Sequence, residues 1–214
     1  MKRFLNIMIS AFLAGIFIGI GATVFLWCLP TSKIAGTIFF GFGLYGIIQW
    51  GFFLYTGKVG LVLDNKPAYL FDLLIGVICN FIGIALFAFV VSLTRAGDTL
   101  KPIANDIVNT KQGDSWYSIL ILSICCGFMI YLAVKGHALI DNPFGKVVIV
   151  FFAVSIFILC GFEHCVANIA YYVYARHFSW KAVLYFVIMI IGNGIGSILL
   201  DGIIKLFNKT KVAQ

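Results

Sequence analysis

Six apolar stretches run through this chain, at Phe4–Leu29, Ile34–Tyr55, Tyr69–Leu93, Trp116–Val134, Val147–Tyr174 and Ala182–Phe207. Each approaches or exceeds the roughly 20 residues that an α-helix needs to cross the hydrocarbon of a bilayer. Lys33, Lys58–Lys66, Arg95–Asp114, Lys135–Lys146 and Arg176–Lys181 separate them, and none of these segments is long enough to hold a second domain. Backbone polar groups in lipid must be satisfied internally, so such a chain is confined to helices or a closed barrel, and runs of this length select helices. Composition agrees: of 214 residues, 62% are hydrophobic and 11% charged, against about 25% charged in a soluble domain. The mean hydropathy is +1.07. The expectation is one all-α integral membrane domain spanning residues 1–214.

The first run is too long for the h-region of a cleaved signal, about 7–15 residues, and is read as a retained first helix. A net charge of +7 does not point to nucleic acid, because the basic residues lie in separate short loops rather than on one face. Cys28, Cys79, Cys125, Cys126, Cys160 and Cys165 all fall in or beside apolar runs without a CxxC pair. They read as small hydrophobes rather than metal ligands, and no organic cofactor site is recognisable. With the N-terminus inside, nine Lys and Arg residues lie on the inner side and six on the outer. That bias favours both termini on the cytoplasmic side.

Two features suggest a path through the bundle. Three helices plus three helices would give halves of opposite orientation, and each half holds one glycine-interrupted span, Phe39–Gly60 and Val147–Tyr174. Each half also ends with an Asn-x-x-Gly helix, at Asn80–Gly83 and Asn193–Gly196. Interrupted spans at corresponding places in inverted halves point to a permeation site where the halves meet. The second feature is Glu163-His164, the one ionisable pair in the run Val147–Tyr174. Ionisable groups at membrane depth are costly and mark transport paths. His164 is the histidine placed deep in a span, whereas His137 and His177 fall in connections and are expected to be solvated. Glu163 is expected to be structural, holding freed backbone amides or a neighbouring subunit. In the second span, Thr56-Gly57 permits irregular backbone, and the threonine can satisfy freed backbone groups or a partner imidazole.

With these residues in view the chain resembles the formate/nitrite transporter family of pentameric anion channels over essentially its whole length. The resemblance is carried by GFEHCVAN at Gly161–Asn168, by Leu54-Tyr55-Thr56-Gly57, by Asn80-x-x-Gly83 and by Gly192-Asn193-x-x-Gly196, in matching order. It implies a homopentamer in the cytoplasmic (inner) membrane. Each protomer would have six helices in an inverted 3+3 repeat, aquaporin-like, with broken second and fifth helices and its own pore. By the family's spacing, Leu44, twelve residues before Thr56, and Phe157, seven before His164, would form one constriction. Leu54 and Tyr55 would form the inner one. Thr56 would hydrogen-bond His164 in a central chamber that Asn193 also faces, and Lys111 would lie outside the pore and draw anions inward. The chain departs from the pattern at Phe52 and Phe53, where many relatives are acidic, at Gly127, where asparagine is frequent, and at Tyr55, a common phenylalanine. The short N-terminal tail is expected to leave no gating helix ahead of the first span.

The expected substrates are small inorganic or one-carbon weak-acid anions such as formate, nitrite or hydrosulfide. Burying a bare anionic charge is costly. An imidazole, titrating near neutral pH when unperturbed, can donate a hydrogen bond or a proton to such an anion. A neutral-solute channel is disfavoured because the chain has no paired Asn-Pro-Ala turns. A membrane enzyme using Glu163 and His164 as acid and base would lack a nucleophile constellation and a metal-ligand cluster. A non-conducting membrane scaffold leaves the buried ionisable pair without a role.

Overall fold

The computed structural model describes residues 2–212, and every regular element among them is helical. Among the described residues four helices are long and apolar enough to cross a membrane: α1 (Lys2–Cys28), α4 (Tyr69–Ser92), α6 (Trp116–Leu139) and α9 (Trp180–Val212). Two further apolar runs are interrupted. One divides into α2 (Lys33–Trp50) and the short α3 (Tyr55–Lys58), which continues as a 3-10 turn over Val59–Asp64; the two parts meet at a bend of 56°. The other divides into α7 (Pro143–Leu159) and α8 (Cys165–Ala175). Helix starts carry caps that satisfy otherwise orphaned amides. Ser32 accepts from Ala35 N, Ser115 from Ser118 N, and Asn142 from Gly145 N with Pro143 in the first turn.

Helix α1 packs chiefly on α4, and α6 chiefly on α9. Both contacts are built on glycine. A Cβ on Gly15 would run into the Asn80 carbonyl, and one on Gly83 into that of Phe12. A Cβ on Gly127 would likewise strike the Asn193 carbonyl, and one on Gly196 that of Ile124. Small residues let membrane helices approach backbone to backbone. At Gly127 this separation leaves no space for a side chain. The outward faces stay apolar, with Ile78, Ile82 and Phe89 on α4 and Val183, Val187 and Ile191 on α9 exposed, as a bilayer requires.

Two connections differ from the sequence expectation. Arg95–Asp114, read only as a separator, forms α5 (Arg95–Gly113), capped by Thr94 and burying Gly97, Leu100, Ala104 and Val108. It lies chiefly against α8. His137 lies not in a loop but in the last turn of α6, still partly exposed, with Nε2 3.1 Å from Gln49 Nε2 and its ring edge-on to Tyr45. His177 does lie in a connection, yet its ring packs edge-on to Tyr172 and its Nε2 is buried.

Candidate functional site

The site forms where the two interrupted helices meet. Helix α2 ends at Gly51, whose φ of 67° is left-handed, and α7 is followed by Gly161 at 70°. Each glycine stops its helix and lets the next amide reach back: Phe52 N donates to Ile47 O at 3.0 Å, and Phe162 N to Phe157 O at 2.9 Å. This is the left-handed helix stop that glycine adopts without steric cost. The following residues run without helical hydrogen bonds to Leu54 and His164, the residues that precede α3 and α8.

Unpaired backbone at this depth needs partners, and two asparagines supply them in the same way. Asn80 on α4 accepts from Tyr55 N at 2.9 Å, and donates to Phe53 O at 2.9 Å and to Ala11 O of α1 at 2.7 Å. Asn193 on α9 accepts from Cys165 N at 2.9 Å, and donates to Glu163 O and to Ser123 O of α6, each at 2.8 Å. Each amide thus ties a break to two long helices, and both asparagines are fully buried. The task of holding freed backbone, expected of Glu163, is carried by Asn193 in this break.

His164 and Thr56 are brought together from the two breaks, with Nε2 3.0 Å from Thr56 Oγ1. The other ring nitrogen caps α8: Ala167 N donates to Nδ1 at 3.0 Å. An amide N–H aimed at Nδ1 requires that nitrogen to be the bare one, so the proton sits on Nε2. His164 therefore donates to Thr56 as a neutral imidazole. A second proton on Nδ1 would set two N–H groups against each other and uncap α8. Phe157 stacks on the imidazole at 5.8 Å and meets Phe40 edge-on at 5.9 Å.

Glu163 and Lys111, distant in sequence, form an ion pair, with Lys111 Nζ donating to both carboxylate oxygens at 2.7 Å. Asn168 Nδ2 donates to the same carboxylate. The side chains are 3% and 12% exposed, so the pair is buried. Helix α5 brings Lys111 there, and its end is fastened by Gln112 donating to the Tyr172 hydroxyl and by the Tyr185 hydroxyl donating to Asp114 O.

Two cavities approach this centre. The larger, of about 420 Å³, is lined by Phe157, Glu163 and His164 and by Lys33 and Lys111. The smaller, of about 270 Å³, is lined by Leu44, Leu54, Gly57, Lys58 and His137. Lys33 begins α2, and Ile47, Ile48 and Gly51 near its end line the second cavity. The two therefore enter from opposite ends of a helix of 18 residues, about 27 Å. Leu44 and Phe157 line different cavities. Thr56, Tyr55 and Asn193 line neither: Thr56 is fully buried, and the Tyr55 hydroxyl donates to Ile190 O of α9 at 3.0 Å.

Sequence reasoning missed a second buried carboxylate. Asp201 on α9 accepts from the Tyr131 hydroxyl and pairs with Lys205, which also pairs with Asp64 at the end of the 3-10 turn. The i,i+4 spacing of Asp201 and Lys205 within an apolar run was the available signal. Among the described residues no cluster of His, Cys, Asp or Glu is placed to hold a metal ion.

Comparison with known proteins matches residues 1–207 to the family described as formate/nitrite transporter. The formate-nitrite transporter of Plasmodium falciparum (isolate 3D7) is 30% identical over 202 residues, 77% of this chain and 63% of that protein. The chain thus spans less than two thirds of that relative's length. Formate channel FocB of Escherichia coli (strain K12) is 26% identical over 200 residues, 81% of this chain and 69% of that one. Among solved structures, a pentameric formate channel with formate bound superposes with a TM-score of 0.77 at 20% identity, covering 100% of this chain and 99% of that one.

Proposed function

The chain belongs to the formate/nitrite transporter family, and we propose that it is a channel carrying small monovalent weak-acid anions, formate, nitrite or hydrosulfide, across the cytoplasmic membrane. The observation that carries this reading is the Thr56–His164 hydrogen bond at the meeting of two broken helices, reached by a cavity on which His164 opens.

The architecture we infer is six spans in an inverted 3+3 repeat, with α2–α3 and α7–α8 as its broken second and fifth members. The matched Gly51 and Gly161 stops, the matched Asn80 and Asn193 braces, and the matched α1–α4 and α6–α9 contacts support it. We assign both termini to the cytoplasm from the Lys and Arg bias, so the larger cavity opens outward. We assign a homopentamer by analogy with the pentameric formate channel that this fold superposes on.

In this reading an anion enters the larger cavity and meets Lys111 beside Glu163. It then passes Phe157 and accepts the Nε2–H of His164 in place of Thr56 Oγ1. The N-terminus of α8 lies at the same point, and the positive end of a helix dipole favours an anion there. Since His164 caps α8 through Nδ1, its neutral form lends a hydrogen bond rather than a stored second proton. The proton that makes a weak acid oil-tolerant then enters with the anion from water. Leu54 and Leu44 guard the way to the smaller cavity, and Tyr55 and Asn193 hold the walls.

Formate and sorbitol gradients imposed on proteoliposomes test this. We expect formate to equilibrate rapidly and sorbitol not. In His164→Asn, where the amide oxygen can still cap α8, formate flux should fall about tenfold or more, the weight of a hydrogen bond to a charged group, while its pH dependence, set by the proton that the acid itself brings, should keep its shape. Flux equal to wild type would remove His164 from the path, and a pH profile that flattens would show that the imidazole itself supplies the proton.

A further inference from the structure

The larger cavity is built for more than a one-carbon ion. At about 420 Å³ it falls in the range of sites that hold drug-sized ligands, roughly 300–1,000 Å³. Its wall is largely apolar, with Phe25, Leu29, Ile107 and Phe162 among the lining residues. Four charged side chains border it: Lys33, Lys111, Asp114 and Glu163. Lys111 and Glu163 neutralise each other at 2.7 Å. Among the described residues Lys33 has no carboxylate within ion-pair distance; its ammonium donates only to the Leu159 carbonyl at the end of α7, at 3.3 Å. It also begins α2, whose positive dipole end adds to its charge. Asp114, just after the end of α5, is the acidic group of the lining that opposes it.

We propose that this cavity is a binding site for monovalent organic anions with an apolar body, held by Lys33 and too large to pass Phe157 and His164. The apolar wall receives the body of such an ion, and the ammonium of Lys33 its charge. The occupant blocks the entrance that the permeant ion uses. Only this blocking consequence rests on the channel reading; the binding itself does not.

Benzenesulfonate is a suitable probe, since it stays ionised and does not slip through lipid as a neutral acid. Titrated calorimetrically into the protein in lipid nanodiscs, it should bind saturably. Lys33→Gln keeps an amide donor for Leu159 O and should weaken binding about fivefold, the upper end of an exposed ion pair. Lys33→Arg should restore it, and Asp114→Asn should tighten it. Opposite shifts from removing opposite charges are not produced by a merely structural role. In proteoliposomes benzenesulfonate should inhibit formate flux with the same order among the variants. Absence of saturable binding, Lys33→Gln binding as tightly as wild type, or passage of labelled benzenesulfonate alongside formate would overturn the site. If no variant and no wild-type preparation conducts formate, the channel reading fails, while the calorimetric titration still decides this one.

Discussion

Asn193→Leu should leave the chain unable to hold its native fold in detergent, and Asn80→Leu should do so to a similar degree. Each substitution keeps the side chain's approximate bulk but removes three hydrogen bonds to backbone, two at a break and one to a neighbouring long helix. An unsatisfied buried polar group costs about 1–3 kcal/mol, and two are created together, the amide and the carbonyl of the break, since Ala11 O and Ser123 O keep their partners within α1 and α6. The whole stability of a folded domain is about 5–15 kcal/mol, so the loss is a large share of it. Thermal unfolding followed by size-exclusion recovery measures this directly. A melting temperature unchanged from wild type in either variant would mean that the breaks are held by something other than these amides.

The second large effect concerns Lys111. Replacing it with methionine strands the Glu163 carboxylate, 3% exposed, with Asn168 as its remaining side-chain partner. Breaking a buried ion pair from one side costs about 3–5 kcal/mol, so Lys111→Met should unfold at markedly lower temperature. Glu163→Gln in the same chain removes the stranded charge and should recover most of that loss. A double-mutant cycle reports the coupling as the departure from additivity. Losses that simply add would show that the two residues do not depend on each other. The cycle also distinguishes a structural loss from a transport loss, because formate flux can be normalised to folded protein in each variant.

What was readable in the chain beforehand followed from local physics. Apolar length located the long helices to within a few residues, as with Tyr69–Leu93 against the observed Tyr69–Ser92. Gly161 beside Glu163-His164 marked the second break because glycine and ionisable residues are out of place in a continuous span. The pairing of Thr56 with His164 came from the resemblance, since no periodicity joins residues in separate helices. The same limit hid the Lys111–Glu163 contact. Lys111 was noticed and Glu163 was noticed, but the partner was supplied by α5, whose sequence looked like a charged connection. Its signal was present in Leu100, Ala104 and Val108, spaced to fall on one helical face, and in Thr94 as a cap. Asn80 and Asn193 were visible as a repeated Asn-x-x-Gly pattern, yet their role depends on which carbonyls the folded breaks leave bare, and only the assembled bundle shows that.

Gly51 and Gly161 show why crowding alone misjudges a position. Nothing lies within 4 Å of where a Cβ would stand at either one, so an alanine would fit in space. Yet both sit in the left-handed region, at φ of 67° and 70°, where any residue with a Cβ bears roughly 1–2 kcal/mol of backbone penalty. A survey of substitutions scored on packing would mark these two sites as permissive. They are instead the hinges on which the direction of both half-helices depends, and their intolerance is written in torsion, not in volume.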